Sequence, residues 1–317
     1  MSKLKPIILL LAFCLLATEA FCTVDPLTGT YSNQATDLIL RYRSIQFEIT
    51  RSYNSVLSSA FTGRSRPWFF HPFDKEIFVF EDKGQVLLQD GYGIKDFRKS
   101  GSEPIYRSAR NEKILFENGT YTLTLGTGVQ EIYNGDGRLT GIRYPDGNSL
   151  SLLFNNDQLE RITSNDSELL HFYYNSTGQV EQIKTFRGAT CYYSYNSAGL
   201  LTEAVDEHSL RTGYEYDAKK RLAGVHYQTG DSVKIKYHAN GGIVQRAGGV
   251  DAQTTYQYKK DKSGNIIKTI VTGPFGVETY SIKNNRKVLI RTNLAKNRTE
   301  QHINDAGLPV SPVSYTH

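Results

Sequence analysis

A sequence unit recurs about every 21 residues in the second half of this chain of 317 residues, and it restricts the folds that the chain can adopt. Each unit begins with an aromatic residue, which Asn or Asp follows in five of the eight units. Successive aromatic residues are 21, 20, 21, 21, 21, 21 and 22 residues apart. So constant a period predicts stacked copies of one supersecondary unit. The aromatic residues are Tyr133, Phe154, Tyr174, Tyr195, Tyr216, Tyr237, Tyr258 and Tyr280.

Each unit has the residues of a β-hairpin. Asn or Asp at the first turn position can accept a hydrogen bond from the backbone two residues on, and a Gly three residues later tolerates a left-handed conformation. This combination is typical of a type I turn followed by a Gly bulge. A second turn follows half a period later, which leaves about six residues for each of two strands. The predicted turn residues are Tyr133, Asn134, Gly137, Tyr174, Asn175, Gly178, Tyr195, Asn196, Gly199, Tyr216, Asp217, Tyr237 and Gly241.

The apolar residues that open each returning strand stand three positions apart, a spacing that strict strand alternation does not explain. A β-bulge in each returning strand would add twist and curvature and would explain the spacing. We therefore predict a bulge that recurs with the repeat. The apolar pairs are Leu139/Ile142, Leu159/Ile162, Val180/Ile183 and Leu222/Val225.

The repeat weakens towards the C-terminus. The turn after Tyr258 is two residues longer when the units are aligned on that tyrosine, and the Tyr280 unit retains only a pair of asparagines. Pro309 and Pro312 suit a strand poorly. We expect the chain to end within a hairpin and to leave an unpaired sheet edge that a protein partner or a further repeat chain could extend.

The N-terminus has the pattern of a secretion signal. Two lysines precede the apolar stretch PIILLLAFCLLA, which is too short for a transmembrane span of about 20 residues. Small residues allow cleavage after Ala20 or after Cys22. Lipidation at Cys22 is disfavoured because Glu19 and Phe21 occupy the positions where a lipobox has an aliphatic and a small residue. We predict a secreted or periplasmic protein without a transmembrane span in its mature chain, and association with the cell surface stays open.

The domain organisation follows from where the repeat begins. Residues 1–22 are the predicted signal peptide, and residues 23–115 are strand-like without repeating. Repeat arrays need capping segments, so we predict that residues 23–115 form an N-terminal β cap. The repeat region covers residues 116–309, and residues 310–317 form a tail. Cys191 is expected to be a lone cysteine that faces the core, although a disulfide with Cys22 is an alternative.

At this point the units resemble the tyrosine–aspartate (YD) repeats of Rhs-family proteins, as in YNGDGRL, YNSTGQV, YNSAGLL and YDAKKRL. The segments DPLTGTYSNQATDLIL (25–40) and FEITRSYNS (47–55) are similar to the segment that opens the repeat region in that family. The resemblance implies an all-β fold in which repeated antiparallel hairpins form a curved or spiral β-ribbon. In long family members this ribbon closes into a shell around a toxin domain. The self-cleaving segment of those shells has no counterpart here, so autoproteolysis is not carried over.

The size of the ribbon argues against a closed shell around cargo. About 16 repeat strands at about 4.8 Å give a width of about 77 Å, or about 25 Å across if closed once. A cargo domain of about 100 residues is more than about 30 Å across. A partial Rhs-type shell or a short open sheet is therefore the expected form.

Nothing in the sequence indicates catalysis or a cofactor. The seven histidines have no metal-binding spacing, and no nucleophile turn or phosphate-binding loop is present. The net charge of +5 is spread along the chain without a basic stripe, which argues against nucleic-acid binding. We predict a secreted, non-catalytic scaffold related to toxin-delivery shells that acts by protein contact. The alternative is an extracellular adhesive protein that binds a cell-surface glycan through surface tyrosines.

Overall fold

The computed structural model describes residues 22–55, 68–90, 93–99, 101, 103–108, 112–165, 167–239, 244–249, 253–274, 276–283, 288–292, 298–302 and 314–316. The predicted signal peptide up to residue 21, Gly241 and most of the predicted tail lie outside these ranges. Across these ranges, no helix is both long enough and apolar enough to cross a membrane. One turn of 3-10 helix, Glu81–Lys83, accompanies the strands.

The strands are β1 (Cys22–Val24), β2 (Tyr31–Tyr42), β3 (Ile45–Asn54), β4 (Trp68–His71), β5 (Glu76–Phe80), β6 (Gln85–Gln89), β7 (Ile94–Lys99), β8 (Ile105–Ser108), β9 (Lys113–Glu117), β10 (Thr120–Thr124), β11 (Gln130–Tyr133), β12 (Leu139–Arg143), β13 (Ser149–Asn155), β14 (Gln158–Ser164), β15 (Ser167–Tyr174), β16 (Val180–Thr185), β17 (Thr190–Tyr195), β18 (Leu201–Val205), β19 (Arg211–Tyr216), β20 (Leu222–Tyr227), β21 (Ser232–Tyr237), β22 (Val244–Gly249), β23 (Gln253–Lys260), β24 (Ile266–Gly273), β25 (Gly276–Lys283), β26 (Val288–Thr292), β27 (Arg298–His302) and β28 (Ser314–Thr316).

These strands form two sheets. Strands β1 to β4 make a four-stranded sheet, and β5 to β28 pair antiparallel, each with the next along the chain, to make one long ribbon. A bridge between Glu76 and Arg138 brings the start of β5 against the first repeat turn, so the ribbon curls back on itself. The predicted all-β fold of consecutive hairpins in a curved ribbon is confirmed.

The predicted bulge recurs in the repeat hairpins. At the Tyr133 unit the register shifts so that Ile132 faces Gly141 while Tyr133 faces Leu139, which leaves Thr140 as the extra residue. Leu139 and Ile142 are consequently both buried. Equivalent shifts occur in the ladders β13–β14, β15–β16, β17–β18, β19–β20, β21–β22 and β23–β24.

Two units depart from the common pattern, and the structure gives the reason for each. The Phe154 unit has a two-residue turn in which Asn156 and Asp157 both have positive φ, so its interval is one residue short. The turn assigned to Tyr258 is not longer than the others. Lys260 stands where the other units have their aromatic residue, and the turn from Lys260 to Ile266 has the usual length. The extra residues of this unit lengthen β23 and β24 instead.

The four-stranded sheet contains the first part of the predicted cap (residues 23–115) and lies along the buried face of the ribbon over several repeats, whereas β5 to β9 of that segment pair into the ribbon itself. The hydrogen bonds of the four-stranded sheet to the ribbon extend from the turn at Asp146, which accepts from Ser44, to β24, where Thr269 donates to the carbonyl of Pro26. Core residues of both sheets form one contiguous cluster. A ribbon of hairpins is apolar along its whole inner face, and a cover along that face removes more apolar surface from water than a cap at one end. The division between domains at residue 115 stays a prediction.

Candidate functional site

The predicted turn residues build one geometry that the repeats share. In the Tyr174 unit, Asn175 Oδ1 accepts hydrogen bonds from the backbone N–H groups of Thr177 and Gln179, each at 3.0 Å. Gly178 follows with a φ of 78° and donates its N–H to the Asn175 carbonyl at 2.9 Å. The same arrangement is made by Asn196 with Gly199, Asp217 with Lys220 and Asp261 with Gly264, while Asn134, which precedes Gly137, accepts from the N–H of Arg138.

The repeat tyrosines connect each hairpin to the one before it. Their hydroxyls donate to a backbone carbonyl 15 residues earlier, at the start of the preceding returning strand. The pairs are Tyr174 with Leu159, Tyr195 with Val180, Tyr216 with Leu201 and Tyr237 with Leu222, at 2.8, 2.9, 2.9 and 2.8 Å. Burial raises the pKa of Tyr216 and of Tyr237, so both hydroxyls stay protonated and able to donate.

This ladder of hydroxyls was not predicted, although the sequence carried a signal for it. Packing alone would accept Phe or Tyr at the aromatic position, yet seven of the eight units have Tyr. Phe154 has no hydroxyl, and Tyr133 donates instead to Glu131 Oε2 at 2.6 Å. The repeat tyrosines therefore serve the joints between repeats and do not form a surface ladder for sugars.

Removal of one joint hydroxyl should weaken the array measurably. We expect Tyr195→Phe to lower the free energy of unfolding by about 1 kcal/mol, because the Val180 carbonyl loses its donor while the ring keeps its packing. Tyr192→Phe is the matched control, since Tyr192 is half exposed on the outer face of the same strand. Urea unfolding followed by circular dichroism measures both variants, and equal midpoints for the two would contradict a role for the joint.

The junction between the N-terminal sheet and the ribbon is built around a buried ion pair. Asp37 is the extra residue of a bulge in β2, and its carboxylate pairs with the guanidinium of Arg51 on β3. The two side chains are 0% and 2% exposed. Asp37 Oδ2 accepts the hydroxyl of Tyr193 at 2.8 Å, and Arg51 Nε donates to the hydroxyl of Tyr214 at 2.8 Å. The ribbon therefore supplies hydrogen bonds to both members of the pair.

Backbone contacts complete the junction. The Asp37 carbonyl accepts the thiol of Cys191 at 3.1 Å and the N–H of Glu207 at 2.8 Å. Glu207 Oε1 in turn accepts the N–H of Ile39 at 2.9 Å. Cys191 is a free, fully buried thiol whose pKa is raised to about 12 by burial. In this environment the thiol is a packing residue and a weak donor rather than a nucleophile.

The two segments that resemble the opening of the family's repeat region meet at this junction. Asp37 lies in the first segment and Arg51 in the second. The turn at Asp25 is closed by its carboxylate, which accepts from the Leu27 N–H and the Thr28 hydroxyl. Gly29 then accepts the N–H of Val244 on the ribbon at 2.9 Å. The opening segments thus dock onto the repeats, which sequence reasoning did not assign to particular residues.

Trp68 extends the same junction. Its indole N–H donates to the Tyr216 hydroxyl at 2.8 Å, and its ring lies 4.6 Å from the ring of Tyr214 and 5.6 Å from that of Tyr53. It is 5% exposed and is the one tryptophan of the chain. Its fluorescence should therefore report the docking of the N-terminal sheet.

A serine and a histidine also lie together in this region. Ser52 Oγ is 2.8 Å from His71 Nε2 on adjacent strands. The two residues are only 1% and 4% exposed, so a substrate has no access to the hydroxyl. Burial, with a further contribution from Lys75, lowers the pKa of His71 to about 3. We interpret the pair as a structural hydrogen bond that holds a neutral imidazole.

The buried imidazole predicts acid sensitivity. The unfolded His71 protonates near pH 6.5 and the folded one near 3, so stability is complete above pH 6.5 and falls as the pH decreases towards 3. At pH 5 we expect a loss of about 2 kcal/mol relative to pH 7. Urea midpoints across this range measure it. The slope should disappear in His71→Asn and persist in His208→Asn, an exposed control; equal slopes in the two variants would refute the assignment.

A cleft lies between the β4–β5 connection and the first repeat turns. Phe70 and Phe154 line it together with Lys75 and Arg138. Arg138 bonds Asp157 at 2.8 Å, and Lys75 bonds Glu131 at 2.5 Å, so the cations of the cleft are already neutralised. In the described ranges, no group of three or more His, Cys, Asp or Glu side chains could hold a metal ion.

A known protein family matches the repeat region of this chain. A family model described as Teneurin YD-shell matches residues 131–314, more than half of the chain. No curated protein matches the chain. Among solved structures, a crystal structure of TcdB2-TccC3-Cdc42 is similar at 12% identity with a TM-score of 0.40, over 86% of this chain and 15% of that one. The Photorhabdus luminescens Tc holotoxin pore is similar at 9% identity with a TM-score of 0.38, over 87% of this chain and 19% of that one. The chain thus spans less than a fifth of the length of these chains.

Proposed function

We propose a function for this chain, which belongs to the Teneurin YD-shell family. It is an exported, non-catalytic scaffold that acts through contact with another protein. The family match confirms the resemblance to YD-repeat proteins. The observation that carries the proposal is the junction around Asp37 and Arg51, which seats the N-terminal sheet on the buried face of the ribbon. With that face covered, the outer face and the edges are the surfaces left for partners.

Hydrogen exchange tests whether the inner face stays covered. We expect the amides of β2 and β3 to exchange as slowly as those of β16 to β20, because both sheets belong to one core. Exchange of β2 and β3 within minutes, while the repeat strands stay protected, would show an interior open to cargo and would overturn the proposal.

The partner is proposed to add a strand at an edge of the ribbon. The last described ladder joins β27 and β28, and an edge strand offers its backbone groups to another chain. A second copy or a further repeat chain fits such an edge. Successive residues of a strand point their amides to opposite sides, so in sedimentation velocity one of Ser314→Pro and Tyr315→Pro should reduce concentration-dependent association by removing an edge donor, whereas Ser314→Ala and Tyr315→Ala should not. A wild-type chain that stays monomeric throughout would rule out a second copy as the partner.

Export is proposed from the N-terminal signal pattern, and the position of β1 bears on where that signal would be cleaved. Cys22 begins this strand and pairs with Asn33, so cleavage after Ala20 would keep the strand intact and cleavage after Cys22 would shorten it. We expect the mature protein to begin at Phe21. Intact mass of the exported chain tests this, and a mass that includes the first 20 residues, or an added lipid, would contradict it.

One observation favours the alternative of glycan binding. Tyr173 and Tyr192 are 39% and 51% exposed, and both lie opposite Gln182 on the outer face. Two strand spacings place them about 10 Å apart, with an amide between them that can bond sugar hydroxyls. A glycan array compares wild type with Tyr173→Ala/Tyr192→Ala, and Tyr144→Ala is the control. Absence of hits, or hits that the double variant retains, would remove this function.

A further inference from the structure

The outer face of strands β21 to β25 carries cations in directly opposed pairs. Lys236 faces Arg246 across the β21–β22 ladder, and Lys259 faces Lys268 across the β23–β24 ladder. All four side chains are exposed. Like charges directly opposite each other destabilise a sheet, so both pairs place a cost on the folded chain that an anionic ligand would relieve.

In the described part of the chain, these cations have no carboxylate neighbour on their own face. On the described outer positions of β21 to β25 no acidic side chain occurs, and none of the four cations forms an ion pair with another described residue. Glu278 lies opposite Val271, on the face of the buried Thr269, and accepts the Tyr280 hydroxyl at 2.6 Å. Asp261 caps its own turn.

Earlier strands of the same face show the contrast. Arg211 bonds Glu203 at 2.8 Å, and His226 lies 3.1 Å from Glu215. Residues 232–283, in comparison, contain eight Lys and Arg and three Asp and Glu, an excess that equals the net charge of the whole chain. The positive charge is therefore concentrated on one end of the ribbon.

We propose that the outer face of β21 to β25 binds an anionic phospholipid surface. Arg246 lies opposite Thr255 on β23, and Thr255 is four residues from Lys259 on that strand. The two cation pairs are therefore about 13 Å apart along the strands. One small anion cannot span that distance, whereas the headgroups of a membrane surface are spread in a plane and attract distributed Lys and Arg. Val277 is half exposed on the same face and supplies an apolar contact. It ends a row of cross-strand neighbours that runs from Arg246 through Thr255 and Thr272.

The same face is poorly suited to nucleic acid. Tyr256 and Tyr258 alternate with its outer residues and face the core side, so no aromatic ring is available on these strands to stack on bases. Among the residues that the structure describes, no helix or narrow ribbon projects from the face to enter a groove. This placement favours a planar array of headgroups over a base-bearing polymer.

Vesicle co-sedimentation tests the proposal with the full mature chain. We expect binding to phosphatidylcholine vesicles that contain about a third phosphatidylglycerol, no binding to pure phosphatidylcholine, and loss of binding as salt is raised. Each Lys or Arg near such a surface contributes about fivefold in affinity. The quadruple variant Lys236→Gln/Arg246→Gln/Lys259→Gln/Lys268→Gln should bind at least tenfold more weakly.

A charge-matched control separates this face from net charge. Four other exposed cations lie on distant strands or turns, and their replacement should leave vesicle binding nearly unchanged. The control is Lys99→Gln/Lys113→Gln/Lys184→Gln/Arg187→Gln.

Unfolding curves show whether the quadruple variants are correctly folded. The test variant should unfold at the same or a higher denaturant concentration than wild type, since two repulsive pairs are removed. Equal weakening in both quadruple variants, binding to heparin or single-stranded DNA without binding to anionic vesicles, or no vesicle binding at low salt would each overturn the proposal.

Discussion

Arg51→Met and Asp37→Asn are each expected to lower the free energy of unfolding by about 3 to 5 kcal/mol. Either change leaves the other member of a fully buried pair without its partner. In Arg51→Met the Asp37 carboxylate retains only neutral donors such as the Tyr193 hydroxyl. In Asp37→Asn the Arg51 guanidinium has no negative charge beside it.

The double variant Asp37→Asn/Arg51→Met should recover much of that loss, because two neutral side chains no longer require solvation of a buried charge. Denaturation curves followed by circular dichroism give the four free energies of this cycle. Trp68 fluorescence follows the junction separately, because its indole contacts Tyr216 and Tyr214 across the interface. We expect a red shift in the single variants at denaturant concentrations where the repeat ribbon is still folded.

Two outcomes would contradict this account. Single variants that lose less than about 1 kcal/mol would mean that the pair is solvated or dispensable. A double variant as unstable as the sum of the singles would mean that the two residues act independently. If a single variant does not fold at all, a folded double variant still supports the coupling.

Gly137→Ala is the second change with a large expected effect. Gly137 has a φ of 86°, and a Cβ at this position would lie 2.0 Å from the carbonyl oxygen of Ile77. The Gly137 carbonyl also accepts the N–H of Ile77 at 2.8 Å, where the ribbon curls back onto β5. Backbone atoms on both sides must move apart, and we expect a loss of about 3 kcal/mol or more.

Two other glycines distinguish the effect of the contact with Ile77 from the effect of the positive φ. Gly147 has a φ of 88° with no atom near its Cβ position, and Gly178 has a φ of 78° with only the mobile end of Gln158 nearby, at 3.1 Å. Gly147→Ala and Gly178→Ala should each cost about 1 kcal/mol, the cost of a left-handed alanine. Thermal or urea unfolding compares the three variants, and equal losses would show that Gly137 is needed for its φ alone.

The repeat hairpins were readable from the sequence because their interactions are local. Asn175 caps a turn whose partners lie two and four residues away, and Tyr195 reaches a carbonyl 15 residues away, within one period. A short-range pattern that recurs eight times can be recognised in the sequence as a regular repeat. The bulge was predictable for the same reason, since the spacing between Leu139 and Ile142 reflects it directly.

The two cation pairs on the outer face and the junction could not be recognised from the sequence in this way. Lys236 would face Gln245 in an unbulged hairpin, and the bulge brings it opposite Arg246 instead. A one-residue change of register exchanges the faces of a strand, so charges that look scattered along the chain become aligned pairs. Tyr258 was misassigned for a related reason: its strand is longer than the repeat predicts, and Lys260 takes the aromatic place.

An all-β chain of hairpins with a 21-residue period, its turn chemistry and its family could be predicted from the amino-acid sequence. The position of the N-terminal sheet, and the residues that hold it there, are seen only in the folded chain. Asp37 meets Tyr193 across 156 residues of chain, and Arg51 meets Tyr214 across 163. Such contacts depend on how the curvature of the whole ribbon accumulates, hairpin by hairpin, and no local pattern in the chain encodes that sum.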